Sequence, residues 1–269
     1  MSLFAEFNNR CWIGAILEMA TALAVGSRAS LEPTGTDMPV VKGPDGLPFI
    51  PGSSLKGVFR FQTERILRAW NKRPDLWACD PLADPCVGPA RKAELWEEAE
   101  EDDAAFAEKA FAESCTACRL FGSPWFAGRV AFKDAFLCNE HDLPVVTQIR
   151  DGVGIDRDLG AARTGVKYDF ETVVPGACFA VEIVTENLED WEIGLLLMVV
   201  RMWEEGDIAV GGKTTRGTGW GRLKGLSIRR VDADNLLDYL ADRKTRSESP
   251  DTFIRTFRAY FKAKEGADA

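Results

Sequence analysis

Two hydrophobic periodicities alternate along this chain, and their order restricts its fold more than any other feature. Residues 12–25 (WIGAILEMATALAV) repeat every second position, with Ile13, Ala15, Leu17, Met19, Thr21, Leu23 and Val25 on one face, as in a half-buried strand. A loop rich in Gly, Pro and Ser follows from Gly26 to Pro51. Ser53 or Ser54 then offers an N-cap for a helix that carries Leu55, Val58, Phe59, Gln62, Ile66 and Trp70 at helical spacing. Residues 129–138 read as a second strand, 177–185 as a third, 189–205 as a second long helix and 221–230 as a fourth strand. The tail, 231–269, reads as two short helices.

The order is β-α-β-β-α-β, which predicts an α+β fold with a ferredoxin-like core. Three segments interrupt it: the loop before the first helix, an insert at 74–127 that is acidic and bears cysteines, and a polar, glycine-rich stretch at 150–172. Long loops inside a compact domain are usually functional. Hydrophobic residues make up 46% of the 269, enough to bury a core, so global disorder is excluded and one domain over 1–269 with insertions fits the length. No basic segment followed by an apolar run opens the sequence, and the apolar stretch Ile193–Val200 is too short to span a bilayer. A cytoplasmic protein without membrane contact is expected.

The net charge of −9 argues against a nucleic-acid partner until its distribution is considered. Nine acids and one base fall between Glu94 and Glu113, so the rest of the chain is nearly neutral. Between Ile208 and Arg230 there are six bases and no acid, and between Lys42 and Arg73 seven bases and two acids. Binding a phosphate backbone needs a local positive surface, not a positive total. The alternative is that each run is a solvated face.

Four cysteines bracket the acidic insert: Cys79, Cys86, Cys115 and Cys118, the last two in a CxxC. Four thiolates can close a tetrahedral structural zinc site, and a poorly apolar insert gains folding energy from one. The alternative is four free cysteines, since six residues between the first two is a loose spacing.

Pro51-Gly-Ser-Ser-Leu-Lys-Gly57 joins a helix N-terminus to Ser53, Ser54 and Lys56, groups suited either to an anion or to plain capping. Gly211-Gly-Lys-Thr-Thr-Arg-Gly-Thr-Gly-Trp-Gly221 is not a Walker A loop, because Asp207 stands where its first glycine belongs and a strand follows. Its glycines permit close backbone approach to a ligand, with Lys213 and Arg216 supplying charge. The single histidine, His141, excludes paired-histidine nuclease chemistry within the chain, so acids must do any catalysis.

Together these pieces resemble the RAMP superfamily of CRISPR-associated proteins. The resemblance rests on Leu31-Glu-Pro-Thr-Gly-Thr-Asp37-Met-Pro-Val, Gly46-Leu-Pro-Phe-Ile-Pro-Gly-Ser-Ser-Leu-Lys-Gly57, Cys118-Arg-Leu-Phe-Gly-Ser123, Ile155-Asp-Arg157 and the loop Gly211–Gly221, in that order. It spans roughly residues 12 to 230 and is closest to the repeating backbone subunits of type III interference complexes. It implies an RRM-like core that polymerises along a guide RNA with other copies and other effector subunits. Residues 150–172 would be a thumb, a protruding hairpin that wedges between bases of the guide–target duplex. Guide contacts would come from Ser53, Ser54, Lys56, Arg60, Arg157, Arg163, Lys213, Thr214 and Arg216. Asp37 falls where cleaving members carry the aspartate that cuts target RNA with Mg²⁺ or Mn²⁺. Glu32 and Asp45 share its loop and are its rivals.

Three readings follow: a guide-binding subunit that also cleaves target RNA, the same subunit without cleavage, and a metabolic α+β enzyme with a structural zinc. The last would need a compact pocket of converging acid–base groups, whereas the polar motifs are scattered over three loops.

Overall fold

A computed structural model describes residues 4–26 and 36–265. It shows a mixed α+β chain with antiparallel sheets. Strand β1 (Asn9–Met19) lies in the middle of the larger sheet. Its odd-numbered side chains Cys11, Ile13, Leu17 and Met19 are buried, as the period-two pattern requires. The strand ends at Met19, earlier than the alternation predicts. The N–H groups of Ala20 and Thr21 both turn to the Trp220 carbonyl, and beyond them only isolated bridges such as Leu23 to Val173 continue the pattern.

Around β1 the larger sheet contains β2 (Phe49–Ile50), β3 (Val130–Phe132), β4 (Ala135–Leu137), β7 (Cys178–Glu186), β8 (Gly221–Asp232) and β9 (Arg246–Glu248). β1 pairs with β7 on one side and β8 on the other; β3 and β4 continue beyond β7, β2 beyond β4, and β9 beyond β8. The segment predicted as one strand at 129–138 is therefore two. Asp134, at the break, accepts the Gly52 N–H on its carboxylate at 2.7 Å.

That contact replaces the serine cap expected of α1 (Gly52–Trp70). Its N-cap is Pro51, with no side-chain cap, and Ser53 and Ser54 sit inside the first turn. Gly52 is required there, since a Cβ would lie 2.3 Å from the Phe132 carbonyl oxygen. The helix α5 (Asp190–Glu205) opens with a capping box between Glu189 and Glu192. Phe59 of α1 joins the layers, with its ring 5.6 Å from Trp203 of α5 and 5.0 Å from Phe132 of β3. Burying each such side chain contributes about 1.5–3 kcal/mol.

The insert holds α2 (Pro89–Glu98), α3 (Asp103–Ala112) and α4 (Thr116–Phe121). The acidic run is carried by α2 and α3. Glu100 and Glu101 adopt left-handed backbone angles between them, and Asp102 caps α3 by accepting the Ala105 N–H. The glycine-rich stretch is a two-stranded hairpin, β5 (Thr147–Ile155) and β6 (Ala162–Val173). The tail forms α6 (Leu236–Asp242) and α7 (Pro250–Glu265); the latter, longer than expected, packs on α5 with Trp191 and Tyr260 stacked at 4.1 Å.

Candidate nucleic-acid interface and metal centre

The four cysteines converge. Cys79 and Cys86 come from the segment after α1, Cys115 is the N-cap of α4, and Cys118 lies in its first turn. Cys79 Sγ is 3.7 Å from both Cys115 Sγ and Cys118 Sγ, and all four sulfurs lie within 4.8 Å of one another. A tetrahedral centre with metal–sulfur bonds of ~2.3 Å has sulfur–sulfur edges of about 3.8 Å. The set can therefore hold one four-coordinate metal ion. Hydrogen bonds from Cys118, then Cys79 and Cys86, hold the Cys115 thiol far below the usual range, and the bond to Cys115 pushes Cys118 far above it.

Arg60 serves this centre. Its guanidinium reaches Cys118 Sγ at 3.6 Å, the Gly122 carbonyl at 3.0 Å and Glu64 Oε1 at 2.8 Å. Lys56, one turn earlier, lines the same cavity of about 500 Å³ with Arg60, Cys79, Cys86 and Cys118. Burial first, and then Arg60, lower the Lys56 pKa.

Ser54 faces elsewhere. With Gly57 and Phe61 it lines an open groove of about 440 Å³ whose other walls are Ala24–Gly26, Gly211 and Gly212. The two glycine-bearing motifs therefore meet, although Gly57 and Gly211 are 154 positions apart in the sequence. Gly211 has a φ of +87°, and a Cβ on it would lie 2.5 Å from the Ala24 carbonyl oxygen. Ser53 is exposed on the first turn of α1.

The rest of the glycine loop turns to the hairpin. Arg216 donates to the Tyr168 hydroxyl at 2.8 Å, and Lys213 Nζ lies 4.4 Å from the Phe170 ring centroid and 3.4 Å from Met38 Sδ. Thr214 is half-buried and its carbonyl accepts the Trp220 indole N–H. Asp37, exposed, stands beside Met38 at the same junction: its carboxylate accepts the Asp169 N–H at 3.1 Å, and its own N–H donates to Asp169 Oδ1 at 2.8 Å.

The profile described as the RAMP superfamily matches residues 12–223. The chain belongs to the RAMP superfamily. Proteins of this family are CRISPR-associated, bind CRISPR RNA and form complexes. A comparison with curated proteins returns no match. Among the described residues, no helix of this RAMP protein is long and apolar enough to cross a membrane.

The remaining predicted residues lie apart. Arg157 and Arg163 are exposed at the far end of the RAMP chain's hairpin, where Asp156 Oδ1 accepts the Asp158 and Leu159 N–H groups and shapes the turn. Of the rivals to Asp37, Asp45 is used locally as the acceptor of the Leu47 N–H, and Glu32 lies outside the described residues. His141 is exposed in a short 3-10 turn. Sequence reasoning missed Asp169 and Glu171. The Thr36 hydroxyl first, then the Asp37 N–H, hold Asp169 below the usual carboxylate range. Glu171 is also lowered: burial opposes its charge, but Lys42 at 2.7 Å and the Val40 N–H outweigh it. Their signal was the alternation of Tyr168, Phe170 and Thr172 with Asp169 and Glu171, which places the acids on one face of a strand.

Proposed function

We propose that this RAMP protein is a guide-RNA-binding backbone subunit of a type III CRISPR effector complex and that it cleaves guide-complementary target RNA at Asp37. The observation that carries the reading is the junction at the hairpin root. There the cationic Lys213 and Arg216, the half-buried Tyr168 ring and the exposed Asp37 carboxylate share one surface, with Lys213 resting over the buried Phe170 ring. Phosphate-binding cations beside an exposed carboxylate suit backbone binding next to a scissile phosphate.

A ferredoxin-like, RRM-like core is supported by the sheet order. With β3 and β4 taken as one edge position, the neighbours run β3/β4, β7, β1, β8, and α1 and α5 are the two crossovers. The hairpin β5–β6 serves as the thumb, and residues 1–269 form one domain with excursions at 74–127, 150–172 and 231–269. The partners are guide CRISPR RNA, target RNA, further copies of the chain and other effector subunits, in the cytoplasm. The four-cysteine centre holds a structural Zn²⁺, which the 3.7 Å sulfur separations support.

In cleavage, the target's 2′-hydroxyl gives its proton to solvent as its oxygen bonds to the adjacent phosphorus, the P–O5′ bond breaks, and the departing 5′-oxygen takes a proton from solvent, leaving a 2′,3′-cyclic phosphate and a 5′-hydroxyl. Asp37 would hold a Mg²⁺ or Mn²⁺ ion, which when bound supplies positive charge against the charge developing on the phosphate. Asp37 suits a site of this type, which takes one or two carboxylates together with substrate phosphates. The chain's part is to present the carboxylate and fix the backbone in line.

The same Asp37 contacts favour a second reading, a catalytically silent backbone subunit, because a carboxylate accepting the Asp169 N–H also serves purely to dock the hairpin. Copurification with RNA of defined length tests the backbone role. A cleavage assay on guide-complementary RNA separates the two readings.

A further inference from the structure

Residues 36–42 are laid along the return strand of the hairpin. The Thr36 hydroxyl donates to Asp169 Oδ1 at 2.5 Å and the Asp37 N–H to the same oxygen at 2.8 Å, while the Asp169 N–H returns a bond to Asp37 Oδ2 at 3.1 Å. Two residues on, the Glu171 N–H donates to the Met38 carbonyl at 3.0 Å. The Glu171 carboxylate accepts from the Val40 N–H at 3.1 Å and from Lys42 at 2.7 Å. Alternate acids of β6 thus clamp both ends of one short segment, and the Asp37 carboxylate lies inside the first clamp.

We infer that Asp169 is a positioning residue: it fixes the Asp37 loop to the hairpin root and so sets where the Asp37 carboxylate stands. This rests on the reading of Asp37 as the cleaving carboxylate. The physical reason is geometric. Asp169 Oδ1 holds two donors from consecutive residues, which fixes the direction of the loop as well as its distance. Among the described residues, 36–48 carry no helix or strand of their own to do so. A carboxylate displaced by ~1 Å can cost on the order of 100-fold in rate. The coupling also means that wherever the hairpin moves, Asp37 moves with it.

The test uses the guide-loaded complex with Asp169→Ala and Asp169→Asn. The asparagine keeps a carbonyl oxygen for both donors, while it loses the charge and carries an NH2 in place of Oδ2. Asp169→Ala is expected to speed amide hydrogen exchange at residues 36–38 and to lower the single-turnover cleavage rate about 100-fold, with target affinity unchanged. Asp169→Asn is expected to restore both to within a few-fold. Unchanged exchange in Asp169→Ala overturns the inference. So does an asparagine variant as slow as the alanine one, because the charge rather than the hydrogen bonds would then be needed. Asp37→Ala is run alongside. If it cleaves as wild type does, the cleavage reading fails, while the exchange measurement still decides what Asp169 holds.

Discussion

Arg60 places a guanidinium nitrogen 3.6 Å from Cys118 Sγ, and its other nitrogens hold Glu64 and the Gly122 carbonyl. One residue of α1 thereby ties the long helix to the metal centre and to the turn after α4. Four thiolates around one dication carry a net charge of about −2, which a neighbouring guanidinium offsets. Arg60→Ala is expected to weaken zinc affinity 10- to 100-fold in competition with a chromophoric chelator, as loss of a group behind a metal ligand does. Unchanged affinity would leave Arg60 with a packing role only.

The centre itself predicts about one zinc per chain by elemental analysis. Serine at Cys115 or Cys118 should lower the thermal midpoint far more than serine at Cys138 or Cys178, which lie at the β4–β7 edge. Chelation should lower the wild-type midpoint toward that of the serine variants. A metal-free chain that melts at the same temperature would refute the site.

Guide binding should depend on Lys56, Lys213 and Arg216 through phosphate contact. Charge reversal at each is expected to weaken binding to RNA of any sequence and to flatten the logarithmic salt dependence by about 0.7 per lost contact on a single strand. Arg60→Glu should alter the slope less than Lys213→Glu, because its guanidinium already has three internal partners. Equal slopes for all four variants and wild type would make these residues a solvated face.

The regular elements were legible where burial imposes a period. The odd face of β1 and the helical spacing of α1 read directly because one face of each meets the core. The hairpin was expected from the family resemblance, not from its own pattern, because a two-stranded ribbon standing in solvent buries neither face well and Gly152 and Gly154 break the alternation opposite Tyr168 and Val166. The CxxC at Cys115, with Cys79 and Cys86, pointed to a four-cysteine cluster that can hold a metal. The role of Arg60 stayed hidden, since a basic residue on an exposed-looking helix turn gives no sign that its partners lie 58 and 62 residues away. Asp134 was missed for the same reason: its helix cap comes from 82 residues off.

Arg129 and Glu192 form a buried ion pair, with side chains 8% and 6% exposed, that joins the start of β3 to the first turn of α5. Arg129 also donates to the Asn187 and Arg119 carbonyls, and Glu192 also accepts the Glu189 N–H. Removing one partner strands a buried charge, so Arg129→Met is expected to cost about 3–5 kcal/mol in urea unfolding. The double variant Arg129→Met, Glu192→Leu should recover much of that loss. A double variant less stable than the single would mean that the geometry, and not the charge, is what the pair supplies.

Asp37→Ala should separate chemistry from assembly. The residue is exposed and fills no core position, so its removal should leave guide binding and copurified RNA length unchanged. It does remove an acceptor for the Asp169 N–H, but that group faces solvent and finds water instead. A group acting chiefly in the transition state lowers the rate without weakening target affinity, and cleavage should fall by at least 100-fold. Wild-type cleavage should vanish on chelation of divalent ions and return with Mg²⁺ or Mn²⁺ at concentrations that leave the zinc centre loaded. The measurement is single-turnover cleavage of a guide-complementary RNA by assembled wild-type and variant complexes, with target affinity measured on the same preparations. Equal cleavage by both would move the chemistry to another residue or subunit. If neither cleaves, Asp37 keeps only the role its hydrogen bonds show, that of docking the hairpin, and the chain is a silent backbone subunit.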